Sequence, residues 1–243
     1  VVKRDPSMSA KNRFYTSVDV SEEAGSFGVT LDGRAVHSPA GTLAQMPSRA
    51  LAAAVAAEWQ AQEQEIEPAS MPLFSLTVTV IDRVTPQRAA ILQELEAYGG
   101  NDLLCYHDGD DSELAARQQR VWMPWIDWAR DSLGADLQVA TGIMPVSQSA
   151  AACATLGEAA ASFDDWVLGM LHRTVTLGGS MVLGLAFING KMEANALFDA
   201  AFLDELWQAE KWGSDWEAED RRAGIKSELA DAERFLQLVR MAG

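Results

Sequence analysis

The sequence predicts an α+β protein in which a β-rich N-terminal domain with one or more helices is followed by a multihelical C-terminal domain. Polar and apolar residues alternate over residues 14–20 and again over 27–31, as they do in half-buried strands. From Glu113 onward, most of the chain has the composition and spacing of helices. The 243 residues are enough for two domains, which we expect at 1–84 and 85–243.

A β-hairpin is predicted where Asp32-Gly33 follows the second alternating stretch. Both central residues of a type I′ turn have positive φ, a conformation that Asp and Gly adopt more readily than most residues. A further turn is expected at residues 21–25, between the two alternating stretches. The N-terminal domain is therefore expected to contain an antiparallel sheet.

The first helix is predicted to begin at Pro47-Ser48, with an alanine-rich sequence after it. Leu51, Val55 and Trp59 lie at positions i, i+4 and i+8, so they share one face of this helix. We expect Trp59 to be buried there as a structural residue rather than a docking residue.

Residues 73–81 are rich in β-branched side chains and alternate in polarity, which predicts a strand. A helix remains the alternative, because Asp82-Arg83 follows directly. Thr85-Pro86 resembles an N-cap with proline at the first helical position, which predicts a helix as far as about residue 98.

Two more strands are predicted, at residues 102–107 and 137–146, and both could join the N-terminal sheet. The turn between residues 108 and 112 is expected to cap the next helix through Asp111 or Ser112.

The net charge of −16 argues against a broad nucleic-acid-binding surface, because an acidic protein repels phosphates. No apolar stretch approaches the roughly 20 residues of a membrane-spanning helix, so no membrane insertion is expected. Two cysteines favour a reducing compartment, and the lack of a signal-peptide pattern favours an intracellular protein. We expect a monomer.

Catalytic motifs are mostly missing from the sequence, which contains no phosphate-binding loop, nucleophile elbow or paired-histidine zinc motif. No cofactor or metal is therefore expected. Cys105 and His107 would lie on the same face of a strand, which leaves open a small intracellular hydrolase as the alternative function. A buried structural cysteine is the simpler interpretation.

Acidic and aromatic residues are concentrated near the C-terminus. Between Glu193 and Asp220 there are nine acids and one base, interleaved with Trp207, Trp212 and Trp216. A solvated helix with core tryptophans is one interpretation, and a protein-docking surface is the other, because tryptophan is frequent at interface hot spots.

The order of several short motifs resembles the assembly chaperones for the α subunit of F-type ATP synthase. The motifs run from about residue 13 to 220: Arg13-Phe14-Tyr15, Leu31-Asp32-Gly33-Arg34, Ser38-Pro39-Ala40-Gly41, Pro47-Ser48, Ala57-Glu58-Trp59 with Gln62, Met71-Pro72-Leu73, Asp102-Leu103-Leu104-Cys105-Tyr106, Gln119 with Trp122, Pro124 and Trp128, Gly179-Ser180, and Glu205, Gln208 and Glu210-Lys211-Trp212-Gly213.

This resemblance implies a non-catalytic protein with an N-terminal α/β unit and a helical C-terminal domain. It implies binding to the free α subunit before that subunit joins β. Mitochondrial relatives carry a transit peptide and this sequence shows none of useful length, so the resemblance favours the bacterial cytoplasm, with the mitochondrial matrix as the alternative for a processed form. The candidate client-binding residues are Asp204, Glu205, Trp207, Glu210 and Trp212, and the candidate structural residues are Trp59, Asp32, Gly33 and Trp122. Of the acids, Glu205 is favoured for docking, because Glu210 has Lys211 beside it and Lys226 nearby as local partners.

Overall fold

The hairpin turn at Asp32-Gly33 connects the last two strands of the first sheet. The computed structural model describes residues 11–109, 112–142 and 146–241, and the chain forms two compact units. One comprises residues up to Pro86 with those from Gln237, and the other is Gln87–Leu236. The division into domains at 1–84 and 85–243 stays a prediction.

In the described part of the first unit, seven elements follow one another: β1 (Lys11–Asn12), β2 (Val18–Glu23), β3 (Ser26–Leu31), β4 (Arg34–Ala35), α1 (Arg49–Gln60), β5 (Glu65–Ile66) and α2 (Pro72–Thr79). The strands β2, β3 and β4 form an antiparallel sheet in that order, and β1 pairs with β5.

Asp32 and Gly33 have φ of 47° and 76°, so the predicted turn is confirmed. Backbone N–H groups of Ser17 and Thr16 donate to Asp32 and lower its pKa to about 2.

The first helix, α1, begins as predicted. Ser48 Oγ accepts a hydrogen bond of 3.1 Å from the N–H of Leu51, which caps the helix N-terminus. Leu51, Val55 and Trp59 are buried, and the hydroxyl of Tyr15 donates to the Trp59 carbonyl at 2.6 Å. The predicted burial of this face is confirmed.

The strand predicted at residues 73–81 is wrong, and the alternative helix is correct. Helix α2 continues into a π-helical turn at Val80–Val84. The Glu58 carboxylate of α1 accepts hydrogen bonds of 2.8 Å from the N–H groups of Leu73 and Phe74. A cap supplied by another helix satisfies the free N-terminal donors of α2, so it favours helix over the local β preference.

In the described part of the second unit the elements are α3 (Arg88–Gly100), β6 (Tyr106–His107), α4 (Glu113–Trp128), β7 (Ala140–Thr141), α5 (Ala150–Ala161), α6 (Asp165–Gly178), α7 (Met181–Ile188), α8 (Ala194–Ala201), α9 (Leu203–Trp212) and the main part of α10 (Trp216–Arg240). Ser112 caps α4 as predicted, and Asp111 lies outside the described residues. The N-cap predicted at Thr85 is wrong, because Thr85 ends the π-helical turn in helical conformation and α3 begins at Arg88.

The strands predicted at 102–107 and 137–146 are much shorter than expected. In the described residues, two short strands remain, Tyr106–His107 and Ala140–Thr141, and they pair with each other in parallel. Neither joins the first sheet, which the sequence had left open. Residues 143–145 of the second prediction lie outside the described residues. Asp102 accepts from the N–H of Leu104 at 3.0 Å and caps a 3₁₀ turn, which uses the residues expected to begin the strand.

Helix α7 lies at the centre of the second unit. All eight of its residues are buried, and it contacts α3, α4, α5, α6 and α8. A Cβ at Gly184 would lie 2.5 Å from Val175 Cγ2, so α6 and α7 approach too closely there for any other residue. The Asp102 carboxylate, which is fully buried, accepts a 2.9 Å hydrogen bond from the N–H of Val182 at the start of α7. Burial raises the pKa of Asp102, and its N–H donors oppose that rise.

Replacing Asp102 is expected to destabilise the protein strongly. Asp102→Ala leaves the N–H groups of Leu104 and Val182 buried without an acceptor, at about 1–3 kcal/mol for each group. Asp102→Asn retains one oxygen and should lose less. Urea unfolding followed by circular dichroism measures both, with Asp136→Ala at an exposed site as the control. Equal midpoints for Asp102→Ala and Asp136→Ala would contradict this role.

Candidate functional site

The five candidate client-binding residues all lie on α9, which contacts α4 and α8. Leu203 is the buried residue of this helix, so hydrophobic packing alone holds it only weakly. Asp204 and Glu205 lie in the first turn and Lys211 in the last, an order that suits the helix dipole. The polar contacts of α9 therefore decide how it is held.

Asp204 contacts the interior of its own unit. Its carboxylate accepts a 2.8 Å hydrogen bond from Gln118 Nε2, and the Gln118 oxygen accepts from the N–H of Asp108 at 2.7 Å. Burial raises the pKa of Asp204, as does the charge of Asp108, while Gln118 and His107 oppose the rise. Asp204 thus fixes the start of α9 against α4.

Glu205 forms ion pairs between α9 and α10. Its carboxylate accepts hydrogen bonds from Arg221 at 2.6 Å and from Arg222 at 2.9 Å. Burial raises the pKa of Glu205, but the hydrogen bonds and charges of the two arginines outweigh burial, so the net shift is downward. The carboxylate favoured for docking from the sequence is already paired within the chain.

Glu210 also has a partner on another helix. Arg117 of α4 donates to its two oxygens at 2.6 and 2.9 Å, and this hydrogen bonding lowers the pKa of Glu210. Of the local partners expected from the sequence, Lys211 acts on Glu210 only through its charge, which also lowers the pKa of Glu210, and Lys226 makes its contact elsewhere. Lys211 pairs with Glu113 at 2.6 Å, and Lys226 lies over the ring of Phe198.

The tryptophans of α9 differ in exposure. Trp207 is half-buried, and the Lys211 ammonium lies 5.7 Å from its ring centroid. Trp212 packs edge-on against Trp207 at 5.3 Å but is 73% exposed. Trp216, at the start of α10, is also 73% exposed. The sequence placed Trp216 in the possible docking surface together with Trp207 and Trp212, but it was not among the five candidate client-binding residues.

The four structural candidates occupy well-defined positions. Asp32 and Gly33 form the hairpin turn of the first unit, and Trp59 is buried on α1. Trp122 is fully buried in the second unit, where its indole N–H donates to the Ala200 carbonyl at 2.8 Å. This hydrogen bond links α4 to the last turn of α8, three residues before α9 begins.

Cys105 and His107 lack the environment of a nucleophile and its base. Cys105 is fully buried in a 3₁₀ turn, where burial and the negative charge of Asp102 raise its pKa to about 12. A thiol with that pKa is not a thiolate at neutral pH. Burial also lowers the pKa of His107, whose Nε2 contacts the Leu104 carbonyl. This geometry does not favour the hydrolase alternative.

Within the described residues, no group of three or more His, Cys, Asp or Glu side chains could hold a metal ion. None of the described helices combines the length and apolarity required to cross a bilayer.

Comparison with known proteins defines the class as a chaperone. The model of the ATP12 chaperone protein family matches residues 12–130. The crystal structure of Atp12 from Paracoccus denitrificans superposes with a TM-score of 0.91 at 40% identity, covering 94% of this chain and 98% of that one. The chain belongs to the ATP12 chaperone family. The resemblance to ATP synthase assembly chaperones that the sequence indicated is confirmed.

More distant relatives come from fungi. The mitochondrial protein atp12 of Schizosaccharomyces pombe is 22% identical over 233 residues, covering 90% of this chain and 80% of its own length. The mitochondrial ATP12 of Saccharomyces cerevisiae is 25% identical over 249 residues, covering 83% and 76%.

Asp204→Asn is expected to change the pH dependence of stability. The raised pKa means that the folded protein holds a proton on Asp204 more tightly than the unfolded chain does. The resulting stability is present below the ordinary Asp pKa of about 3.9 and is lost as pH rises through the folded pKa. Asparagine can still accept from Gln118 and does not titrate. As the pH rises above about 4, the melting temperature of the variant should therefore increase relative to that of the wild type. A difference independent of pH would refute the assignment.

Glu205→Lys is expected to destabilise the fold by about 1–3 kcal/mol, because it places a third cation beside Arg221 and Arg222. The client-binding role that the sequence predicts for Glu205 stays a prediction. Glu219→Lys is the matched control, since the Glu219 side chain is exposed and has no ion pair or hydrogen bond in the described residues. Thermal melting of the two variants should differ clearly, and equal melting temperatures would argue against this role for Glu205.

Proposed function

We propose that the protein binds the free α subunit of F-type ATP synthase and protects it from aggregation until the subunit assembles with β. The proposal rests on membership of the ATP12 chaperone family and on one observation of this chain. Two tryptophans, Trp212 and Trp216, are largely exposed on the acidic α9–α10 segment. Exposed aromatic residues of this kind commonly mark protein-binding surfaces.

The physical reason for such a chaperone lies in its client. A subunit of an oligomer exposes an apolar interface before assembly, and exposed apolar surface promotes aggregation. A binder that covers this surface keeps the subunit available for assembly and delays premature contact with β. No nucleotide hydrolysis is required for such protection, because release can follow from competition by the final partner.

The candidate residues of α9 have different parts in this proposal. Asp204, Glu205 and Glu210 act as positioning residues, because each carboxylate is bound by side chains from α4 or α10. Trp207 supports the aromatic cluster from a half-buried position, and Trp212 meets the client. Charge changes at these acids would then impair binding by displacing the helix.

The site of action follows from the proposed client. The α subunit assembles on the inner side of an energy-transducing membrane, so we propose the bacterial cytoplasm, with the mitochondrial matrix as the alternative. A monomeric chaperone suits one-to-one binding to a single α subunit. The two fungal relatives are mitochondrial proteins.

Co-purification with separately expressed α and β subunits tests the proposal. The tagged chain should retain α, fail to retain β alone, and reduce light scattering as α is warmed. Trp212→Ser should weaken retention of α with little change in melting temperature, because its side chain is 73% exposed. Phe14→Ser is the matched control, because Phe14 is 67% exposed in the first unit. Retention of β in place of α would overturn the proposed function.

A further inference from the structure

The connection between α9 and α10 carries an exposed aromatic patch, which consists of Trp212 and Trp216. Among the described residues, four large apolar side chains are exposed, and the other two, Phe14 and Met241, belong to the first unit. Gly213, with φ of 85°, ends α9 and allows the chain to turn into α10 within three residues. Two indole rings are thus presented at one turn of the chain.

Acidic side chains surround this patch in sequence. Asp215, Glu217, Glu219 and Asp220 are all exposed. Asp215 accepts a hydrogen bond from the N–H of Ala218 and caps α10. The other three carboxylates have neither an ion pair nor a hydrogen bond within the described part of the chain. Their charge is therefore available to a partner.

The neighbouring cations are already paired. Lys211 is bound to Glu113, and Arg221 and Arg222 are bound to Glu205. They cannot neutralise the free acids without giving up these contacts. The patch thus combines aromatic surface with uncompensated negative charge, and such charge selects a partner of opposite sign.

We propose that the Trp212/Trp216 patch binds a segment of the α subunit in which apolar side chains are flanked by lysine or arginine. This inference rests on the proposed function and adds the place and the chemistry of the contact. The apolar side chains cover the indole rings, the cations pair with Glu217, Glu219 and Asp220, and a cation can also lie over an indole face. A second copy of this chain is a poor occupant, because both patches and both chains, at −16 each, repel.

Ion pairs hold the patch in place before binding. Glu210–Arg117 and Lys211–Glu113 anchor the end of α9 to α4. Glu205 anchors α9 to α10 through Arg221 and Arg222, a few residues beyond Trp216. A surface fixed in advance loses less conformational entropy on binding. This arrangement gives the paired acids a role distinct from that of the free acids.

Three variants of the full chain test the inference, with the isolated α subunit as the probe. The first removes the rings, Trp212→Ser with Trp216→Ser. The second removes the free charges, Glu217→Gln with Glu219→Gln and Asp220→Asn. The third is a matched control that neutralises three exposed acids elsewhere, Glu63→Gln with Glu96→Gln and Glu158→Gln. Affinity is measured at about 50 mM and about 300 mM NaCl, because salt screens exposed charges.

The ring variant should bind at least about tenfold more weakly at both salt concentrations, with an unchanged melting temperature. The charge variant should bind more weakly at low salt and lose most of the salt dependence, and the control should match the wild type. If both patch variants bind α as tightly as the wild-type protein does, the role proposed for the patch is refuted while the proposed function stands. If wild-type protein does not bind α, both fail. A wild-type dimer in sedimentation velocity that the ring variant abolishes would overturn the proposal in favour of self-association.

Discussion

The second unit depends on burying the start of α7 without leaving its N–H groups unpaired. This helix has no exposed residue and contacts five other helices, so water cannot satisfy its first turn. The carboxylate of Asp102 does so from 80 residues earlier in the chain, and Ser180 Oγ accepts from the N–H of Leu183. Because an unpaired buried donor costs about 1–3 kcal/mol, these polar side chains are as necessary to the core as the apolar ones.

The helices that surround α7 determine where α9 lies. Trp122 of α4 donates its indole N–H to Ala200 at the end of α8, and Gln118 of α4 binds Asp204 at the start of α9. Both contacts belong to α4, so this helix places the acidic segment relative to the core. Beyond these contacts, Glu210 and Glu205 connect α9 to α4 and α10. Exposure of Trp212 follows from this position, since the face of α9 that carries Leu203 is directed inward.

An acid on α9 can therefore affect function without touching a client. Asp204, Glu205 and Glu210 each have a cationic or amide partner inside the second unit, whereas Glu217, Glu219 and Asp220 have none in the described residues. We propose that the first group holds α9 in place and that the second contacts the client. In this proposal, a charge change in the first group impairs function by displacing α9, and a charge change in the second group removes a contact with the client. Measurements of stability distinguish the two cases, because only the first lowers the stability of the fold.

Local patterns determined the elements whose stabilising contacts lie close in sequence. The Asp32-Gly33 turn needs only the φ preferences of two residues, the cap at Ser48 reaches three residues, and the stripe through Trp59 follows from helical spacing. The order of motifs was also enough to identify the family. Only the tertiary structure decided that residues 73–79 are helical, because their cap comes from Glu58, and that the short strands at 106 and 140 pair with each other.

The same distinction applies to the candidate site. The sequence predicted an acidic and aromatic segment, but the partners of its acids, Arg117 for Glu210 and Gln118 for Asp204, lie more than 80 residues away. The periodicity of the sequence predicts which face of a helix is apolar. It does not predict which distant side chain forms a hydrogen bond or ion pair with a given carboxylate. Which acids are paired, and which tryptophans remain exposed, depends on contacts between segments that meet only in the folded chain.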